Sequence, residues 1–187
     1  MGYRVTSQPA TEPCTAAEAK LAARLTATGL DSLITSDYIP AARRLCEQRT
    51  GRSLITQTIV YSAENWPAGD EIPLEHGPVA SITSITYRDT NGTTQTLSSA
   101  AYELRRDSDY SSACVCLLPG YSWPSLGDYE NAAIVTFVAG YGAASDIPKE
   151  LRAWVIAAVA EMLRTDSLDI PRDFAAGLLD RAAYLTF

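Results

Sequence analysis

The side chains best equipped for chemistry are few: four cysteines (Cys14, Cys46, Cys114, Cys116), one histidine (His76), and the acidic pairs Asp107/Asp109 and Asp128/Glu130. A structural zinc site draws four close ligands from Cys and His, commonly as CxxC pairs. No two cysteines here have that spacing and only one histidine is present, so the sequence offers no visible ligand set. Cys114 and Cys116 would share one face of a strand, because side chains alternate with a period of two. The expectation for all four thiols is that of small buried hydrophobes in a reducing compartment. His76 sits beside Gly77-Pro78, at a strand end or turn, where a surface residue is commoner than a general base. Neither acidic pair has the full spacing of a calcium loop. No glycine-rich phosphate loop, HExxH or GxSxG occurs. The expectation is no enzyme, no cofactor and no metal.

The elements that would carry these residues belong to a folded chain. Its 187 residues suffice for a real core, and 47% hydrophobic with 20% charged residues is a globular composition. No apolar run is long enough to span a bilayer, and MGYRVTSQPATEP lacks the apolar centre of a signal peptide, so no membrane partner is expected. The net charge of −7 is unevenly placed. Residues 1–52 carry seven basic and five acidic side chains, net +2; residues 53–146 carry three and eleven, net −8; residues 147–187 carry five and six, net −1. The acidic middle argues against phosphate-neutralising contacts with nucleic acid there, although it could line a path to which DNA does not adhere.

Along the chain, Pro9 and Pro13 mark an extended lead-in, and Thr15 with Glu18 forms a capping box opening a helix that runs to about Ala27 before Gly29. A second helix spans Asp31 to Gly51, with Asp31 as N-cap and Gly51 as the left-handed terminator. Pro40 lies inside it, predicting either a kink or a new start at Ile39. Residues 53–142 are β-rich, with strands expected at Leu54–Tyr61, Glu71–Leu74, Ile82–Arg88, Thr94–Leu97, Tyr102–Arg105, Val115–Leu118 and Ala133–Val138. Asn91-Gly92 predicts a type I′ hairpin turn. The many Tyr and Trp side chains suit strand packing; exposed rings are expected only in SDYSSA and GYSWPSLGDYE, where a sugar could stack. A third helix begins around Asp146-Ile147-Pro148 and ends near Thr165. Leu151, Trp154 and Val155 help make it apolar over most of its circumference, which fits a central core helix or a subunit interface. The last ten residues are unusually apolar for a chain end and must fold back or dock elsewhere.

Several strings, in order, resemble one family: EPxTxxEAKxxxRL in the first helix, TGRxLITQT at the helix–strand junction, Gly77-Pro78-Val79 before the hairpin, Tyr102, Trp123-Pro124, and VTFVAGYG from Val135 to Gly142. Together they are similar to the head–tail connector (adaptor) proteins of long-tailed bacteriophages, which form a ring beneath the portal vertex. The resemblance spans nearly the whole chain. It implies an α+β fold in which N-terminal helices (1–52) and C-terminal helices (143–187) make one helical bundle around an inserted antiparallel β-rich unit (53–142). It further implies a structural virion protein, made in the bacterial host cytoplasm, that assembles in about twelve copies by a heterologous interface. Its partners would be the portal protein and a tail-side stopper or tail terminator protein, with DNA passing through unread. The family's C-terminal pattern maps onto Leu178, Leu179, Tyr184 and Phe187, and with Leu185 these are the expected portal-docking residues. Arg43, Arg44, Arg49 and Arg52, with Leu151, Trp154 and Val155, are the expected inter-subunit residues; solvated helix-face charges are an equal account of the arginines. The alternative is a glycan- or receptor-binding β-module of a phage tail.

Overall fold

A computed structural model describes residues 2–26, 29–106 and 113–165. The chain is α+β and divides into two compact units, one comprising residues 1–8 and 56–140, the other residues 9–55 and 141–187.

Among the described residues, the first unit is built from eight strands: β1 (Gly2–Ser7), β2 (Gln57–Ala63), β3 (Glu71–Leu74), β4 (Val79–Arg88), β5 (Thr94–Thr96), β6 (Tyr102–Arg106), β7 (Ala113–Leu117) and β8 (Ala133–Ala139). They form a five-stranded sheet, ordered β1-β2-β8-β4-β5, and a three-stranded sheet, ordered β3-β7-β6, with every pairing antiparallel. Each expected strand is present within a few residues, because period-two alternation marks which face is buried. In β2 and β8 the buried positions alternate strictly, putting Ile59 and Tyr61, and Val135 and Phe137, on one face. Those side chains share a core with Ile72 and Leu74 of β3, Val79 and Ile85 of β4, and Ala113 and Val115 of β7. Arg106 of β6 ties the sheets by donating from Nε to the Val79 carbonyl at 2.7 Å.

Within the strand unit, two details differ from expectation. Residues 2–7, read as a lead-in grouped with the helices, form edge strand β1 on β2. Tyr3 holds it there: its ring packs on Tyr61, His76 and Phe137, and its hydroxyl accepts from the Glu75 amide at 3.2 Å. The hairpin between β4 and β5 is present, but its turn is not type I′. The Gly92 amide donates to the Asp89 carbonyl at 2.9 Å, and Gly92 alone in the turn has positive φ, +80°. The Asp89 carboxylate accepts from the amides of Asn91 and Thr93, each at 2.9 Å. A local carboxylate thus overrides the preference of the Asn-Gly pair.

The second unit holds α1 (Ala16–Ala23), α2 (Asp31–Leu33), a π-helical turn (Ile34–Tyr38), α3 (Ile39–Thr50) and α4 (Lys149–Thr165). The Thr15/Glu18 capping box is complete. The helix it opens is shorter than expected, closing at Arg24 with φ 58°. Asp31 does not cap; it lies inside α2 and its carboxylate meets Lys20 Nζ at 2.5 Å. Pro40 explains the π turn. Proline has no amide to donate and its ring crowds the carbonyl four residues back. The chain widens before it, so that the Ile39 amide reaches the Ile34 carbonyl, and α3 begins where a restart was expected. Gly51, at φ 64°, ends α3. Ile34, Ile39, Ala42, Cys46, Leu54, Leu151, Trp154, Val155 and Val159 form the core of this unit. No described helix is long and apolar enough to cross a membrane.

Candidate assembly surfaces

The expected inter-subunit residues fall into two groups. Leu151, Trp154 and Val155 are each 1% exposed or less and belong to the core of their own unit. The broad apolar surface of α4 is therefore used within the protomer, where α1 and α3 pack against it. Arg43 is likewise internal. It is 3% exposed, donates from Nε to Glu12 Oε2 at 2.8 Å, and donates from Nη1 to Glu47 Oε2 at 2.9 Å. Glu47 Oε1 then accepts from the Leu54 amide at 2.9 Å. The network fastens the lead-in and the residues after Gly51 to α3. Burial pushes the Glu47 carboxyl above its usual value, with the Leu54 amide and Arg43 opposing that shift. Arg52 is buried and donates to the Tyr141 hydroxyl at 3.2 Å, joining the segment that leaves the helical unit to the one that returns to it. Arg44 and Arg49 are exposed; the Arg49 guanidinium carbon lies 5.6 Å from the centre of the Trp154 ring.

The exposed part of the helical unit also carries apolar side chains: Leu21 at 80%, Leu33 at 41% and Leu30 at 37%. Sequence reading missed them. A single leucine on a short, alanine-rich helix gives no periodic signal, and only the burial of its neighbours Ala19 and Ala23 shows that Leu21 faces out. Arg152 fixes α1 to α4 by donating to the Pro13 carbonyl at 3.0 Å and to Glu18 Oε1 at 2.5 Å. Glu18, taking the Thr15 amide and then this arginine, is held below the usual carboxylate range. The expected docking residues Leu178, Leu179, Tyr184, Leu185 and Phe187 lie outside the described residues, as do Asp107, Asp109 and Tyr110.

In the strand unit, Trp66 and Trp123 stack with centroids 4.7 Å apart and planes 19° apart. Trp66 Nε1 donates to the Pro124 carbonyl at 2.8 Å and Trp123 Nε1 to the Gly69 carbonyl at 2.9 Å. The pair pins the loop after β7, so Trp123 has one face and its polar atom already engaged. Tyr121 is 51% exposed, and Tyr129 lies under the Arg88 guanidinium at 4.3 Å. His76 sits between β3 and β4 at φ 65°, its ring edge-on to Tyr3. Cys14 and Cys46 are core residues of the helical unit, and burial pushes their thiols up to about 11 and about 12.

No protein-family model and no curated protein matches the chain. Solved structures share its fold. A chain from the neck of an empty gene transfer agent particle, computed with C6 symmetry, aligns with TM-score 0.81 and 22% identity over 97% of this chain and 95% of that one. A chain from the virion of the native particle aligns at 0.79 and 22%, over 97% and 94%. A chain from the native neck, computed with C12 symmetry, aligns at 0.70 and 23%, over 95% and 94%.

Proposed function

We propose that this protein is a structural component of a virion neck, a head–tail connector that forms a ring under the portal and leaves a central passage for DNA. The observation that carries the reading is the likeness to gene transfer agent neck and virion chains over nearly the full length of both partners. A neck with C12 symmetry accommodates a ring of about twelve copies, and C6 divides that number. In this reading the apolar C-terminal segment, Leu178, Leu179, Tyr184, Leu185 and Phe187, docks into the portal protein, and a stopper or tail terminator protein binds on the tail side. Because Arg43, Leu151, Trp154 and Val155 are engaged inside the protomer, the ring interface falls to exposed side chains: Arg44 and Arg49, joined by Leu21, Leu30 and Leu33. One apolar patch meeting a different patch on the next copy is the heterologous contact that closes a ring. The acidic strand unit suits a passage through which DNA slides without adhering.

Co-sedimentation with a cognate portal ring tests this, using the full chain and a chain ending at Asp180. Binding by the full chain alone supports a connector docked through its last seven residues. Binding by both keeps the connector and moves its docking surface to the helices. Binding by neither overturns the reading and leaves the glycan-binding alternative.

A further inference from the structure

Cys114 and Cys116 stand on one face of β7, with their sulfurs 3.3 Å apart. It is the face opposite Ala113 and Val115, which enter the core. The register places Glu71 of β3 and Glu103 of β6 on either side of Cys116, and Arg105 of β6 beside Cys114. A Glu71 carboxylate oxygen and the two sulfurs all lie within 4.8 Å of one another. We propose that Glu71, Cys114 and Cys116 form a binding site for a thiophilic divalent cation of the zinc class.

The geometry is close to what such an ion requires. Tetrahedral zinc with metal–sulfur bonds of about 2.3 Å sets its sulfurs about 3.8 Å apart, so the two thiols need only a small separation from their present positions. They lie on the middle strand of the three-stranded sheet, paired on both sides, so the backbone carrying them is fixed. Glu71 has a half-exposed side chain, 52%, and can close on the ion by turning its terminal bonds. Arg105 ion-pairs with Glu71 and keeps it over the strand. A carboxylate has two oxygens, so one can ligate while the other keeps the arginine. Two sulfurs with one oxygen select zinc-like ions over calcium or magnesium, which prefer all-oxygen sets. Charge also balances: two thiolates and a carboxylate oppose the cation and the guanidinium, and water completes the coordination. Binding forms two metal–sulfur bonds and releases both thiol protons to solvent, with no change of oxidation state.

Cobalt titration of the full-length protein, metal-free and kept reduced with a phosphine, provides the test. The expected result is a saturable thiolate-to-cobalt charge-transfer band, abolished by added zinc. Cys116→Ser should lose the band, Glu71→Gln should shift the ligand-field bands, and Cys14→Ser/Cys46→Ser should leave the spectrum unchanged. Zinc should also raise the melting temperature of the wild type and not of Cys116→Ser, with far-ultraviolet circular dichroism showing both folded. No charge-transfer band in the wild type, or a band that survives Cys116→Ser, overturns the proposal.

Discussion

Replacing Arg43 with methionine tests whether the helical unit depends on its buried charge network. The substitution keeps an unbranched side chain of similar length and removes the cation. Removing one partner of a buried ion pair typically costs about 3–5 kcal/mol, because the other charge stays desolvated. Two features set the expected loss near the low end. Glu12 is 22% exposed and can turn to water, and Glu47, 13% exposed, keeps the Leu54 amide. We therefore expect about 3 kcal/mol at neutral pH, a fall of roughly 1–3 M in the urea midpoint at ordinary denaturant slopes. Trp154 is the only tryptophan in the helical unit, so its fluorescence in a Trp66→Phe/Trp123→Phe background reports this unit alone. The pH dependence has a definite sign. Glu47 is raised in the folded state, so its ionised form opposes folding above the folded value and this cost fades as pH falls toward the unfolded one. Arg43 normally counters that rise, so its removal moves the folded value higher still. The deficit of Arg43→Met should shrink on acidification, and Arg43→Met/Glu47→Gln should recover part of it at neutral pH. A loss below about 1 kcal/mol, or a double variant weaker than the single one, would refute the network as a determinant of stability.

Three further outcomes follow from particular contacts. Glu18 is held below its usual value by the Thr15 amide and then by Arg152, so its contribution is complete above the unfolded carboxylate range and disappears as pH falls through the lowered folded value; Glu18→Gln should flatten the acid limb of a melting-temperature profile. Gly127→Ala would place a methyl carbon 2.5 Å from the Asp89 carbonyl oxygen and 2.5 Å from the Tyr129 ring, and should cost about 1–3 kcal/mol in urea unfolding of the strand unit. Trp123→Ala removes both the stack on Trp66 and the bond to the Gly69 carbonyl, and should cost at least about 1 kcal/mol, read from Trp66 fluorescence during denaturation.

Much of this architecture is written locally. Thr15 and Glu18 cap α1 because both partners lie within one turn, and Gly51 ends α3 because only its own backbone has to turn left-handed. The alternation in β2 and β8 marks their buried faces before any partner strand is known. Pro40 forbids a regular helix through Ile39, although the π turn that resolves it depends on the core seating of Ile34 and Ile39. Sequence failed where a short-range preference met a competing group: Asn91-Gly92 lost its turn type to the Asp89 carboxylate, and Asp31 gave up its cap for Lys20.

Which face of a helix is spare, and which distant side chains converge, only the tertiary structure decided. The stripe through Leu151, Trp154 and Val155 reads equally as core or interface, because amphipathicity records that a face is covered and not by what. Folding assigns it to α1 and α3 and leaves Leu21 exposed instead. The same holds for the cysteines. Cys114 and Cys116 lack a ligand set in the linear sequence, since the carboxylate beside them comes from Glu71, on a strand whose register is set by burying Ile72 and Leu74. A period in the sequence specifies a surface; long-range pairing specifies its neighbours.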